Sequence, residues 1–256
     1  MSNAILNTGI PHAAIVIPKS YPDGHIIDWH HHNFSQLVFA CSGVMIVETH
    51  ENLWVIPSQR AVWIPAGTLH KVSMHGHAEM RNFYVQAEYG NDKELPKQSC
   101  VLNVTPLMRE LLLHLATIDL ETADKHEVAR LIKVVLDQLR SAHQITFYLP
   151  VATDTRLVTI CEALIAAPSN HDSLNEWAAR INTSSRTLSR LFRKELGMSF
   201  IDYRQQVRLF EALKQLAKGK SVTIVAMEAG FSSQSAFSRL FKRSFGVTPG
   251  NFFSQK

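Results

Sequence analysis

One segment occurs twice near the C-terminus of this 256-residue chain. Leu188–Tyr203 reads LSRLFRKELGMSFIDY, and 49 positions later Phe237–Phe252 reads FSRLFKRSFGVTPGNF. Ser189/Ser238, Arg190/Arg239, Leu191/Leu240, Phe192/Phe241 and Gly197/Gly246 coincide, and basic residues coincide at Arg193/Lys242 and Lys194/Arg243. Each copy predicts a short helix with an apolar stripe, a basic outer face and a glycine stop. A short basic helix made twice suggests two copies of one module that reaches into DNA, alike in scaffold but different at the helix heads, Arg186-Thr187 against Gln234-Ser235.

The flanking residues supply a partner helix for each copy. Ser173-Leu-Asn-Glu176 is a capping box that opens a helix with Leu174, Trp177, Ala178 and Ile181 at helical spacing. Asn182–Ser185 breaks it, because Asn tolerates a left-handed turn and Ser or Thr caps the next helix. That next helix, Ser185–Leu196, buries Leu188, Leu191, Phe192 and Leu196 and turns Arg186, Ser189, Arg190 and Arg193 outward. The second copy repeats the plan with Val222–Ala229, a turn at Gly230–Ser233, then Gln234–Phe245, with Ser235, Ser238, Arg239 and Lys242 outward. Helix, tight turn and helix with a basic outer face is the helix-turn-helix arrangement, whose second helix enters a major groove.

Between the copies, Phe200–Ala217 is an amphipathic helix with Ile201, Val207, Phe210, Leu213 and Ala217 expected inward. Its 18 residues span roughly 27 Å at ~1.5 Å each. Successive major grooves lie about 34 Å apart on one face of DNA, so one chain can reach two of them. The plainer alternative is a helical bundle with a basic surface, which leaves the fixed offset of the outward residues unexplained. Charge is partitioned accordingly. Residues 1–150 hold 11 Lys/Arg against 14 Asp/Glu, and residues 151–256 hold 15 against 8, the footprint of a polyanion-binding half joined to something else.

GFSSQSAFSRLFKRSFGVTPGNF at 230–252 is similar to the signature of AraC/XylS-type transcription regulators, and residues from about 155 to 252 resemble that family's domain throughout. The resemblance implies seven helices, two helix-turn-helix units and base contacts from Arg186, Thr187, Ser189 and Arg190, then Gln234, Ser235, Ser238 and Arg239. Arg suits guanine O6/N7 and Gln suits adenine N6/N7. Arg193, Lys194, Lys242 and Arg243 complete the DNA-facing set, with Lys194, Lys242 and Arg243 assigned to phosphate. One departure is Phe252-Phe253, where the family usually continues to Tyr-Arg; the aromatic packing role survives it.

The other half reads as short strands: Leu37–Ala40, Val44–Thr49, Leu53–Ile56, Ala61–Ile64, Lys71–Met74 and Arg81–Ala87, punctuated by Gly43, Pro57, Pro65–Gly67 and Gly76. Such spacing predicts a barrel or jelly roll. Trp29, Phe34, Phe39, Trp54, Trp63, Phe83 and Tyr84 are mostly expected in the core. His30 and His32, Gln36, Gly43, then Pro65-Ala-Gly67 and His70, resemble the two cupin motifs. That resemblance implies an inward-facing divalent-metal site on His30, His32 and His70, with Gln36 replacing the usual Glu and Met74 the usual Asn. Three readings stand: a metal site, an organic effector pocket formed by His30, His32, Gln36 and His70 without metal, or structural histidines at the barrel mouth.

Thr105-Pro106 opens a helix over Leu107–Ile118, and a second, about Asp124–Ala142, carries Val128, Leu131, Val135 and Leu139 on one stripe. In cupin-bearing members of the resembled family such helices dimerise; the alternative is packing on the chain's own barrel. Residues 143–154 read as the interdomain linker. Cys41, Cys100 and Cys161 lack CxxC pairing, which indicates a reduced, cytoplasmic setting. No apolar run reaches the length of a membrane span. Met1–Ala4 are set aside as a stretch resembling an expression scar.

The expected architecture is therefore two-domain α+β: a cupin-like sensor over 1–102, a helical dimerisation or linker segment over 103–150, and an all-α tandem helix-turn-helix domain over 151–256. The expected function is a non-enzymatic, sequence-specific DNA-binding regulator answering to a small-molecule effector. Its expected partners are double-stranded DNA, the effector, a second copy of itself and, for an activator, RNA polymerase. The alternative is a metal-dependent cupin enzyme fused to a DNA-binding module.

Overall fold

The computed structural model describes residues 14–58, 60–86, 94–145 and 147–252. Met1–Ala4, Ala87 and Phe253, named above, lie outside them. The chain divides into two compact units, one made of residues up to Val47 with Ile56–Thr146, the other of Glu48–Val55 with Phe147 onward.

In the first unit the strands are β1 (Ala14–Tyr21), β2 (Ile26–His30), β3 (Phe34–Glu48), β5 (Arg60–Ile64), β6 (His70–Gln86), β7 (Cys100–Asn103) and β8 (Gln144–Ile145), with β4 (Asn52–Pro57) following β3 in the chain. They pair in the order β1-β6-β3-β5-β7-β8, with β2 also on β6. The registers described for β1–β6, β2–β6, β3–β5, β5–β7 and β7–β8 are antiparallel. The expected cupin-like β-domain is thus present, its ladder open from β1 to β8 among the described residues.

Two glycines expected between strands lie inside continuous ones. Leu37–Ala40 and Val44–Thr49 were expected as separate strands, but β3 runs through Gly43, and β6 likewise runs through Gly76. Both glycines hold positive φ, and a Cβ at Gly43 would stand 2.7 Å from the His77 carbonyl oxygen. The glycine therefore lets β3 and β6 approach closely within a continuous strand.

Period-2 alternation divides each long strand between two environments. Leu37 and Phe39 of β3, and Phe83 and Val85 of β6, join Ala61 and Trp63 in a buried core. Helices α1 (Pro106–Leu115) and α2 (Lys125–Arg140) complete that core with Met108 and Leu112, then Val128, Ile132, Val135, Leu136 and Leu139. Thr105 caps α1 by accepting from Met108 N, and Asp124 caps α2 by accepting from His126 N. The apolar stripe of α2 is buried in its own unit, and Ile132 and Leu136 occupy it where Leu131 is only half-buried.

The second unit contains seven helices among the described residues: α3 (Thr155–Ala166), α4 (Leu174–Arg180), α5 (Ser185–Leu196), α6 (Phe200–Ala217), α7 (Val222–Glu228), α8 (Gln234–Phe245) and α9 (Pro249–Phe252). Within it Asn52 and Leu53 pair with Pro150 and Leu149 of β9 (Leu149–Pro150). The Phe147 ring stands 4.7 Å from the rings of both Phe210 and Phe245. The capping box at Ser173 and Glu176 forms in full, and Asn182 takes positive φ. One inward assignment on α6 fails: Ile201 is 57% exposed. Phe200 and Tyr203, one position behind and two ahead, bury against Phe192 instead.

Candidate functional site

The helix-turn-helix surface is built from short, firmly capped elements. Ser184 accepts from Thr187 N at the start of α5, and Gly197 ends it in a left-handed conformation. Ser233 accepts from Ala236 N at the start of α8, and Gly246 ends it in the same way. Leu188, Phe192 and Leu196 are buried on α5, as Phe237, Phe241 and Phe245 are on α8. With those faces fixed inward, Arg186, Arg190, Arg193 and Lys194 are exposed on α5, and Thr187 and Ser189 are half-buried. On α8 Gln234, Ser235, Arg239, Lys242 and Arg243 are exposed and Ser238 is half-buried. Arg186, Ser189, Arg190, Arg193 and Lys194 line one shallow groove.

Two contacts at the helix heads were invisible to periodicity. Thr187 Oγ1 lies 2.9 Å from Ser184 Oγ. Thr223 Oγ1, on α7, donates to Gln234 Oε1 at 2.9 Å. No spacing rule links residue 223 to 234; the signal would have been a polar residue early in the first helix facing the head of the second.

In the first unit the sheet face opposite the apolar core lines a cavity of about 650 Å³. The same alternation that buries Leu37 and Phe83 sends Gln36, His70, Met80, Asn82 and Tyr84 toward it, joined by Lys19 and Tyr21 from β1 and by His30 and His32. The cavity thus gathers all four residues expected to form an effector pocket. Asn82, Lys19 and Tyr21 were not singled out from sequence, and Tyr84 was read mainly as core.

The three histidines converge. The rings of His30 and His70 are 4.2 Å apart and those of His32 and His70 are 5.2 Å apart. One nitrogen of each lies within 4.8 Å of the others. Each Nδ1 donates to a backbone carbonyl: His30 to Asp28 at 2.7 Å, His32 to Phe34 at 2.6 Å and His70 to Thr68 at 2.8 Å. Fixing Nδ1 this way turns each Nε2 into the available ligand atom. His70 Nε2 is buried with no hydrogen-bond partner, an arrangement that costs about 1–3 kcal/mol unless a ligand completes it. Burial pushes the His70 pKa down to about 4 and that of His32 down from its ordinary value, so both rings are neutral near pH 7. Burial also raises the Tyr84 phenol to about 12. Three converging imidazoles, with His70 Nε2 unpartnered, fit a zinc-, copper-, iron- or nickel-type divalent ion. Such an ion would supply a Lewis-acidic, ligand-accepting centre.

Gln36 differs from a carboxylate in what it can do here. Its Oε1 stands 2.8 Å from His32 Nε2, and its Nε2 stands 3.1 Å from Asn82 Oδ1 and 3.4 Å from Tyr84 OH. A proton must lie between the first pair, and since the neutral His32 ring spends its one proton on Phe34 O, the amide is turned over so that Gln36 Nε2 donates to His32 Nε2. Gln36 thereby occupies the lone-pair direction of His32 Nε2.

Comparison with known proteins agrees with both halves. Residues 12–145 match the AraC-like ligand binding domain, and residues 177–255 match a helix-turn-helix domain family. The chain belongs to the AraC family of transcription regulators. Within that family it is 34% identical over 226 residues to the HTH-type transcriptional regulator NimR of Escherichia coli, spanning 88% of this chain and 82% of NimR. It is 28% identical over 197 residues to the thermoregulatory protein LcrF of Yersinia pestis, spanning 73% of this chain and 70% of LcrF. Among solved structures, ToxT from Vibrio cholerae aligns over 94% of this chain and 98% of its own, at 11% identity and a TM-score of 0.40. This AraC-family chain is accordingly a DNA-binding transcription regulator with a ligand-binding domain. No helix among its described residues is long and apolar enough to cross a membrane.

Proposed function

We propose that this regulator reads an asymmetric DNA site with two non-equivalent helices and takes its effector in the histidine-lined cavity. The observation that carries the first part is the matched outward set on α5 and α8. Arg186/Ser235, Ser189/Ser238, Arg190/Arg239 and Arg193/Lys242 occupy the same helical positions while the heads of the helices differ. Arg186, Thr187, Ser189 and Arg190, then Gln234, Ser235, Ser238 and Arg239, meet base edges. Arg193, Lys194, Lys242 and Arg243 meet phosphate, which sets affinity and salt dependence without reading sequence.

Residues 1–102 form the sensor, 103–150 the helical segment and 151–256 the DNA reader. Effector binding in the cavity favours one arrangement of the chain and shifts the DNA-binding equilibrium by its differential affinity. The buried stripe of α2 is taken up by its own unit, so self-association into a homodimer would use other faces of the helical segment, and RNA polymerase becomes a partner where the regulator activates. The chain works in the cytoplasm and without catalysis; relatives named as HTH-type transcriptional regulators support the second part of this reading.

Selection of binding sites from random DNA by the full chain tests the reading. Each recovered site should hold two unlike boxes about 10–10.5 base pairs apart. Recovery of a single box, or of two identical boxes, would refute two-helix asymmetric reading.

A further inference from the structure

We propose that residues 147–154 form a strap that fixes the separation of the two recognition helices, and that the hairpin at residues 48–55 is the handle by which strand β3 holds that strap. Such a strap matters only where both helices read DNA, so it rests on the two-helix reading above.

One short segment reaches the C-terminal ends of both recognition helices. The Phe147 ring stands 4.7 Å from that of Phe245, the last residue of α8, and 4.7 Å from that of Phe210 on the connecting helix α6. Further along the segment, Thr153 N, Thr153 Oγ1 and Asp154 N all donate to Glu195 Oε1 in the last turn of α5, the latter two at 3.0 Å each. Leu149 and Ala152, between these anchors, are buried. Helix α6 already joins the two helix-turn-helix units, but a single connecting helix leaves them free to turn about its ends. A second tie, anchored on α5 at one end and on α8 at the other, removes that freedom.

The strap is itself held along one edge. Asn52 and Leu53 of β4 pair with Pro150 and Leu149, and Val151 N donates to Glu51 O at 2.7 Å. The turn of the hairpin is closed on itself. Thr49 N donates to Asn52 O at 2.9 Å, and Thr49 Oγ1 accepts from Glu51 N at 3.3 Å and from Asn52 N at 3.2 Å. A turn braced in this way moves the strap as one piece. Pro150 has no N–H to give, so the ladder stays short and opens locally while the rest of the fold persists. The hairpin follows directly from β3, the strand that carries Gln36 and Val38 to the cavity, which makes it a covalent route from cavity to strap. Phe147 and Glu195 are thus positioning residues for DNA reading.

The test uses the full chain and duplexes that carry both selected boxes at their preferred spacing or a base pair closer or farther apart, with single-box duplexes as the control. The parent should favour the preferred spacing by about tenfold or more. Glu195→Ala, at a half-buried position, and Phe147→Ala should each cut that preference by about fivefold, the lower end of a coupling between sites. Affinity for a single box should change by no more than about twofold. Glu195→Gln keeps the accepting oxygen and should keep the preference. A preference unchanged in both alanine variants, with every duplex weakened alike, overturns the strap alone. A parent indifferent to spacing refutes the two-helix reading itself, and the strap with it. Hydrogen exchange reads the handle: on two-box DNA, peptides spanning 48–55 and 147–154 should gain protection together. Failure of 48–55 to gain protection overturns the role of the hairpin.

Discussion

Thr223 Oγ1 donates a 2.9 Å hydrogen bond to Gln234 Oε1, joining the first helix of the second helix-turn-helix unit to the head of its recognition helix. A carbonyl oxygen has two lone pairs. Gln234 is therefore held in one orientation with an NH2 and one acceptor direction still free, the pair that adenine N7 and N6 require. Gln234→Ala should cost about 1–3 kcal/mol at one base pair of the site. Thr223→Val, which removes only the orienting donor, should cost about 0.5–1.5 kcal/mol at that same base pair. Fluorescence anisotropy on DNAs altered one base pair at a time checks both. Sensitivity of the two variants at different base pairs would break the link between them.

Arg239 and Lys242 are both exposed on α8, yet their substitutions should differ in kind. Arg239→Ala should lose roughly 1–3 kcal/mol with relaxed preference at one position, and Arg190→Ala should do the same in the other box. Lys242→Ala should weaken all sequences alike and lower the slope of log K against log salt by about 1. Uniform weakening by the arginine variants would falsify the assignment of base contacts.

How far the sequence disclosed this protein depended on the range of the interactions involved. Helix α5 was legible to the residue because Ser184, Asn182 and Gly197 act on their immediate neighbours. Strands β3 and β6 were cut at Gly43 and Gly76 because glycine marks a turn as often as a close approach, and only the partner strand, through His77, distinguishes them. Ile201 was placed inward because its periodicity fits. The competition with Phe200 and Tyr203 for the Phe192 ring is tertiary and leaves no local trace. The histidines were legible from motif spacing. Lys19, Tyr21 and Asn82 reach the cavity through the β1–β6 pairing, in which Lys19 faces Met80 and Ile17 faces Asn82, and no motif announces them.

Asp154 gives the DNA-reading unit a defined acid sensitivity. It caps α3 by accepting from Arg156 N, and its carboxylate also meets the Arg156 side chain at 2.9 and 2.6 Å. Those bonds hold its pKa down to about 2 from an ordinary 3.8. A depressed carboxylate pKa adds stability that is complete above the unfolded-state value and is lost as pH falls through the folded one. The contribution should therefore be constant above about pH 4 and disappear toward pH 2. Asp154→Asn retains a capping oxygen without the charge, so its melting temperature should lie below that of the parent at pH 7 and converge on it near pH 2. A gap that stays constant across this range would place the stabilisation in the cap alone.

Gly197 and Gly230 both hold positive φ, at 68° and 79°, but only one is enclosed. A Cβ at Gly197 would meet nothing within 4 Å, whereas at Gly230 it would stand 2.6 Å from Ser169 Cα. Gly197→Ala should thus cost only the left-handed conformation of a non-glycine residue, about 1–2 kcal/mol. Gly230→Ala incurs the same cost and also displaces backbone, adding about 1–3 kcal/mol as overpacking does elsewhere. The displaced segment is not free to yield, since Arg208 ties it through Pro168 O at 3.1 Å and Asn170 O at 3.0 Å. Gly230 also begins the turn that aims α8, so the strain should reach DNA binding as well as stability. Urea melts of the two variants, with anisotropy on a selected site, separate the effects. Equal destabilisation of the two would mean that the 168–170 segment moves aside at little cost and that Arg208 does not anchor it.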